Sequence, residues 1–269
     1  MKSLARILGI AAVAAMLLAA GAWWRGVTWS DVEHWGTPRN VIDAEGGTVR
    51  IPVASGPAER ILPQVTPTTT GEHAFLFPSG GEGGGPVRYD PCRPLTYVLS
   101  PSLMPEGFEP LIHEAAAQVS EATGLSFVFE GRTDEPVSFD RALIQERYGE
   151  RFAPIVVGFQ NEVQNPDLAG TVTGLGGSSA VPGAYGDARF LRAGVVVLDY
   201  EDVQRLASEP GGTDLARAVV AHELAHVVGL AHVVDTSELM HESNLRLTHW
   251  GPGDLEGLAL AGAGGCEQP

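Results

Sequence analysis

The sequence predicts an α+β fold over residues 88–269, preceded by an apolar helix and a spacer. Three observations predict it. Hydrophobic residues make up 44% of the 269-residue chain, enough for one large globular domain with an extension. From residue 88 onward, short apolar runs of strand length are interleaved with segments of helical periodicity. Upstream of that point the chain is apolar first and then rich in Gly, Pro and Thr, with little to bury.

Residues 1–25 form the first unit. Lys2 and Arg6 precede an uncharged stretch, 7–24, closed by Arg25. A helix over that stretch reaches ~27 Å, near a bilayer's hydrocarbon thickness. Trp23 and Trp24 suit an interfacial belt, and the basic flank predicts an N-terminus inside. The alternative is a cleaved signal peptide, because Ala20-Gly21-Ala22 has the small residues of a cleavage site. Both readings put the rest of the chain outside the cytoplasm, membrane-anchored or secreted. Residues 26–87 read as a flexible spacer or pro-segment. They carry Pro63, Pro67, the run Thr68-Thr69-Thr70 and a Gly-rich tract at 80–86. Only 48–53 has strand character there.

Within 88–269, residues 95–100 read as a strand. A helix is predicted over 106–123, with Phe108, Leu111, Ile112, Ala115, Ala116, Val119 and Ala122 at helical spacing and Gly124 as the stop. Strands follow at 126–130 and 153–159. The Gly- and Ser-rich stretch 170–181 is an irregular edge strand or a plain loop. Residues 194–199 form a buried strand. A helix is predicted from 214 to about 229 with Thr213 as its cap, and a last short helix over 254–261.

The 214–229 helix carries the chemistry. Its end and the turn beyond it read His222-Glu223-Leu224-Ala225-His226-Val227-Val228-Gly229-Leu230-Ala231-His232. Two histidines four apart share a helix face and can grip one metal. Gly229 lets the chain leave the helix through a conformation closed to other residues, so that His232 returns as a third ligand. Three imidazoles leave one zinc position open, as a catalytic site requires. Glu223 stands where a carboxylate can take a proton from a metal-activated water, a base for which a structural zinc site has no use.

These residues resemble the metzincin metallopeptidases, and the short spacing is most similar to the matrixin-like bacterial branch. The resemblance covers about the last two thirds of the chain; only the helix and the following Met-turn are specific. It implies a mixed twisted sheet with an active-site helix, a Met-turn and a C-terminal helix. It implies His222, His226 and His232 as ligands of one catalytic Zn2+, Glu223 as the general base, and Met240, in Glu238-Leu239-Met240-His241, as the floor of the site. Matrixins usually carry Pro soon after that Met, whereas this chain has His241-Glu242-Ser243-Asn244. An edge strand that binds the substrate backbone is implied at 170–181. Asp235 is read as a turn or supporting residue, with a ligand role as the alternative. The wall of the pocket beside zinc is placed at 241–250, with Leu245, Leu247 and Trp250 as lining residues or, alternatively, as packing under the last helix.

The expected activity is therefore zinc-dependent extracytoplasmic peptide-bond hydrolysis on a protein or peptide substrate, by a monomer. The alternatives are a surface-anchored zinc-containing binding module without turnover and a hydrolase of a non-protein, cell-wall amide. A net charge of −16 argues against nucleic acid and anionic membrane surfaces. Asp134, Glu135 and Asp140 have no spacing informative for calcium. His34, His73, His113, His241 and His249 lack ligand spacing. Cys92 and Cys266 flank the catalytic segment; an oxidising compartment predicts a disulfide between them, against the alternative of two separate thiols.

Overall fold

The computed structural model describes residues 2–56, 58–243 and 246–268, with residues 2–12 as backbone alone. The chain opens with helix α1 (Lys2–Trp24) and the short helix α2 (Trp29–Glu33). A hairpin follows, β1 (Val41–Ala44) against β2 (Gly47–Arg50). Among the described residues, no helix is long and apolar enough to cross a membrane.

The body is mixed α+β around one five-stranded sheet. Its strands are β4 (Leu95–Leu99), β5 (Phe127–Arg132), β6 (Ile155–Gln160), β7 (Gly174–Pro182) and β8 (Arg189–Asp199), in the order β5-β4-β6-β8-β7. The first four in that order run parallel, and β7 alone is antiparallel, on the edge beside β8. β6 and β8 are buried on both faces, which is why they read as unbroken apolar runs rather than alternating ones. Helices α3 (Glu109–Thr123) and α5 (Gly212–Val227) supply Ile112, Ala115, Val119, Ala216, Val220 and Leu224 to the main core. The opposite face holds a smaller cluster around Val98, Val156 and Val197.

Several boundaries differ from expectation. The 106–123 helix starts three residues late, at Glu109, but ends as predicted with Gly124 at φ 69°. Thr213 lies inside α5; the residue at its N-cap is Gly211, at φ 73°. Helix α4 (Tyr200–Ala207) was not anticipated: Tyr200, Val203, Leu206 and Ala207 recur at helical spacing and turn toward the core, but over two turns only, directly after a strand. It starts at Asp199, whose carboxylate accepts from the Asp202 N–H at 2.8 Å. The last helix, α6, runs Pro252–Ala261.

The expected flexible spacer is docked onto the body over residues 60–77. The strand β3 (Ala74–Phe75) pairs with β9 (Leu230–Ala231), directly before His232. Arg60 donates to the carbonyls of Gly262 and Gly264, and the Gly71 N–H donates to Glu256. This stretch lacks a periodic apolar pattern, yet backbone hydrogen bonds, close glycine contacts and the packing of Phe75 and Phe77 against the core hold it. A Cβ on Gly71 would stand 2.5 Å from the Gly253 nitrogen.

Cys92 and Cys266 are joined in a disulfide with Cα atoms 5.4 Å apart, within the range a bridge requires.

Candidate metal centre

Helix α5 places His222 and His226 one turn apart on the face turned toward β7, while Ala216, Val220, Leu224 and Ala225 hold the opposite side in the core. The helix ends at Val227, and Gly229 follows at φ 108°, a region that disfavours any side chain. The chain then reverses into β9 and delivers His232.

The three Nε2 atoms converge. His222 and His226 are 3.1 Å apart, His222 and His232 3.1 Å, and His226 and His232 3.0 Å. The His222 Nδ1 lies 2.7 Å from the Leu239 carbonyl, and the His226 Nδ1 lies 2.8 Å from the Leu230 carbonyl. A carbonyl only accepts, so both Nδ1 atoms carry the proton and both Nε2 atoms present bare lone pairs. Two lone pairs at 3.1 Å repel unless a cation or a shared proton sits between them. Burial pushes the His222 ring down to about 3, with His226 beside it adding to the effect, and burial pushes His226 down to about 4. Burial also lowers His232. All three are neutral at neutral pH, the form that ligates a metal.

This donor set fits zinc. Tetrahedral coordination at about 2.0–2.1 Å puts adjacent nitrogens about 3.3 Å apart, close to the separations here. The carbonyls of Leu239 and Leu230 are the outer partners that fix ring tautomers in such sites. Sequence reasoning did not single them out, because backbone atoms leave no trace in residue identity.

Glu223 is buried, with its side chain under Gly174 of β7. Burial pushes its carboxyl up to about 8. A cation on the histidines would draw that value down, toward the range of a working base. Gly174 and Gly176 make this approach of strand to helix geometrically possible. A Cβ on Gly174 would stand 2.8 Å from the Glu223 Cγ, and one on Gly176 would stand 2.1 Å from the Glu223 carbonyl oxygen. The expected edge strand is thus present, but two of its glycines admit α5.

A cleft of about 670 Å³ runs between β7 and the histidines. Thr171–Gly176, Leu76, Val219, Glu242 and Ser243 line it together with His222, Glu223, His226 and His232. Leu247 and Trp250 do not line it; Trp250 borders a separate groove with Val65 and Leu255 and packs against the core beside α6. Leu245, also expected at the wall, lies outside the described residues, as does Asn244.

Met240 is buried in the main core, one residue after the carbonyl that holds His222. Its turn is fastened by a carboxylate exchange with α6. Asp254 accepts from the N–H groups of Leu239, Met240 and Gly251, and Glu238 accepts from those of Gly253 and Asp254.

Asp235 acts in a turn: its carboxylate accepts from the Ser237 N–H and hydroxyl, and its own N–H donates to Glu72. His34 stacks on Tyr185, His113 meets Tyr97, His249 meets Thr248, His73 stands 3.5 Å from Glu256, and His241 contacts Ser243. None of these five joins the converging group. Glu135 is paired in the interior with Arg141, and Asp134 with Arg147; among the described residues they form no convergent carboxylate group.

No protein-family model matches the chain, and no curated protein is detectably similar to it in sequence. Among solved structures, the chain is similar to an archaemetzincin from Methanopyrus kandleri at 18% identity and a TM-score of 0.38, over 62% of this chain and 93% of that one. It is also similar to a chain of the GM1-bound ECX AB5 holotoxin at 11% identity and a TM-score of 0.36, over 65% of this chain and 82% of that one. Similarities this low assign neither a family nor an activity, which must be argued from the site itself.

Proposed function

We propose that the chain is a zinc-dependent extracytoplasmic endopeptidase of metzincin type, akin to the matrixin-like branch, acting as a monomer on protein or peptide substrates. The observation that carries this reading is the convergence of three Nε2 atoms within 3.1 Å, two with their Nδ1 protons committed to carbonyls.

His222, His226 and His232 hold the metal, which when bound supplies Lewis acidity at the open side of the three nitrogens. Glu223 takes a proton from the water that attacks the scissile carbonyl carbon and passes it to the departing amine nitrogen as the C–N bond breaks. The products are a carboxylic acid and an amine, so atoms balance with water as the only co-reactant. The free edge of β7 offers backbone donors and acceptors to an extended substrate beside the cleft. Met240 fills the space beneath the turn that holds His222. We read helix α1 as an anchor or a leader, which would put the body outside the cytoplasm, and the Cys92–Cys266 bridge suits an oxidising compartment.

Two variants test the assignment. Glu223→Ala is expected to keep one equivalent of zinc by metal analysis and to lose peptide cleavage by about a hundredfold or more. His226→Ala is expected to lose zinc as well. Digestion of a peptide library, with and without chelator, provides the activity readout. Cleavage by Glu223→Ala at the unmodified rate would overturn the mechanism, and stoichiometric zinc with no cleavage of any peptide would favour a binding module.

A further inference from the structure

Helix α2 is mounted with its polarity reversed. Its polar side faces the protein: the Tyr185 hydroxyl donates to Asp31 at 2.7 Å, and the His34 ring stacks on Tyr185 with centroids 4.0 Å apart. The segment is pinned further by Arg39, which donates to the Ile51 carbonyl, and by Asn40, whose side chain donates to the carbonyls of Gly183 and Gly186. Thr28 and Asp31 close the helix start with a capping box. Its apolar side faces away. Trp29 is 75% exposed and Val32 45%, three residues apart on the helix, and Trp35, just past the His34 C-cap, is 89% exposed. A short helix docking on a soluble body turns such residues inward.

The surface continues upstream. Trp23 and Trp24 are exposed, as are Val13, Met16, Leu17 and Leu18 of α1, and only residues 25–28 separate the two helices. Four of the chain's five tryptophans lie within 23–35, and among the described residues none of these four packs against the core. Tryptophan favours the boundary between lipid and water, where its ring is apolar and its N–H stays wet.

We propose that Trp29, Val32 and Trp35, continuous with α1, form a lipid-contacting surface that seats the body on a membrane interface. Lipid is favoured over a second copy because four of the chain's five tryptophans gather here, directly after an apolar helix; the exposed Arg25 and Glu33 accompany them, as charged groups do at the wet boundary of a bilayer. Tyr185 is the anchor point on the body, at the turn between β7 and β8. The cleft end of β7 lies eight residues from Pro182, roughly 26 Å along the strand. The interface would therefore hold the end of the edge strand remote from the zinc site, leaving the cleft clear of the lipid.

The test uses the full chain in phosphatidylcholine vesicles with brominated acyl chains, which quench tryptophan on contact. One protein carries Trp23→Phe and Trp24→Phe; a second adds Trp29→Phe and Trp35→Phe. The difference between their emissions isolates Trp29 and Trp35, since both keep Trp250. The expected difference signal is quenched at least twofold by the brominated lipid and shielded from aqueous iodide. A signal quenched by iodide and untouched by brominated lipid would overturn the proposal. Shielding that grows with protein concentration, without lipid quenching, would overturn it in favour of a contact between copies.

Discussion

His222 and His226 are kept neutral mainly by burial, with His226 and His232 adding to it for the first and His232 for the second, and that has a sign. Their values in the folded protein, about 3 and about 4, lie below the ordinary 6.5. The unfolded chain therefore takes up protons first as the pH falls. Stability of the metal-free protein is full above about 6.5 and is lost progressively as the pH drops toward 4. The loss is on the order of a few kcal/mol for the pair. Thermal melts in chelator across that window should show Tm falling steadily, and His222→Gln should flatten the slope. A metal-free Tm independent of pH between 7 and 4 would contradict the neutral, buried pair. Zinc should leave in the same window, because protons and metal compete for the same lone pairs.

At the scale of elements, the pairing of β3 with β9 bears directly on His232. Leu76 donates its N–H to the Gly229 carbonyl at 2.9 Å, ahead of His232, and Glu72 accepts from the Asp235 N–H at 2.8 Å, behind it. The third histidine thus sits on a loop clamped on both sides by a segment from before the catalytic body. A protein beginning at residue 78 should bind zinc about ten- to a hundredfold more weakly than one beginning at residue 58. Glu72→Ala in the full chain should move affinity in the same direction by less. Competition with a zinc indicator gives the affinities, and circular dichroism checks that the shorter protein is folded. Equal affinities would show that 60–77 is only a cover.

The sequence revealed the elements whose signals are local. β4, β6 and β8 carried dense apolar runs, α3 carried helical period and a glycine stop, and the three histidines declared themselves by spacing. What stayed hidden depends on partners distant in the chain. The strap over 60–77 has no apolar periodicity and is held by partners far along the chain: main-chain pairing with β9, the side chains of Arg60 and Glu256, and the packing of Phe75 and Phe77. The exchange between Glu238 and Asp254 joins two carboxylates to N–H groups whose residue types are irrelevant. The role of Gly176 becomes visible only once α5 is known to pass beneath it.

For the whole molecule, the bridge between Cys92 and Cys266 closes a loop with a sequence separation of 174 residues around the sheet and the metal centre. Chain entropy assigns such a closure about 5 kcal/mol as an upper value, reduced by residual structure in the unfolded chain. Mild reduction should therefore lower Tm by several degrees while zinc content stays constant, since neither sulfur is needed as a ligand. Zinc lost together with the bridge, at a temperature where the protein remains folded, would contradict that separation of roles.

The same ring governs how damage would look. The segment 161–173 leads into the cleft, and Val163 on it is 92% exposed, so under the proposed activity it would be a target on the protein's own surface. A cut there falls between the two cysteines. Both pieces would stay tied, keep the mass of an uncut chain apart from one water, and migrate as a single band until a thiol was added. A preparation judged intact on a non-reducing gel could consist largely of self-nicked molecules, with the rim of the cleft already opened.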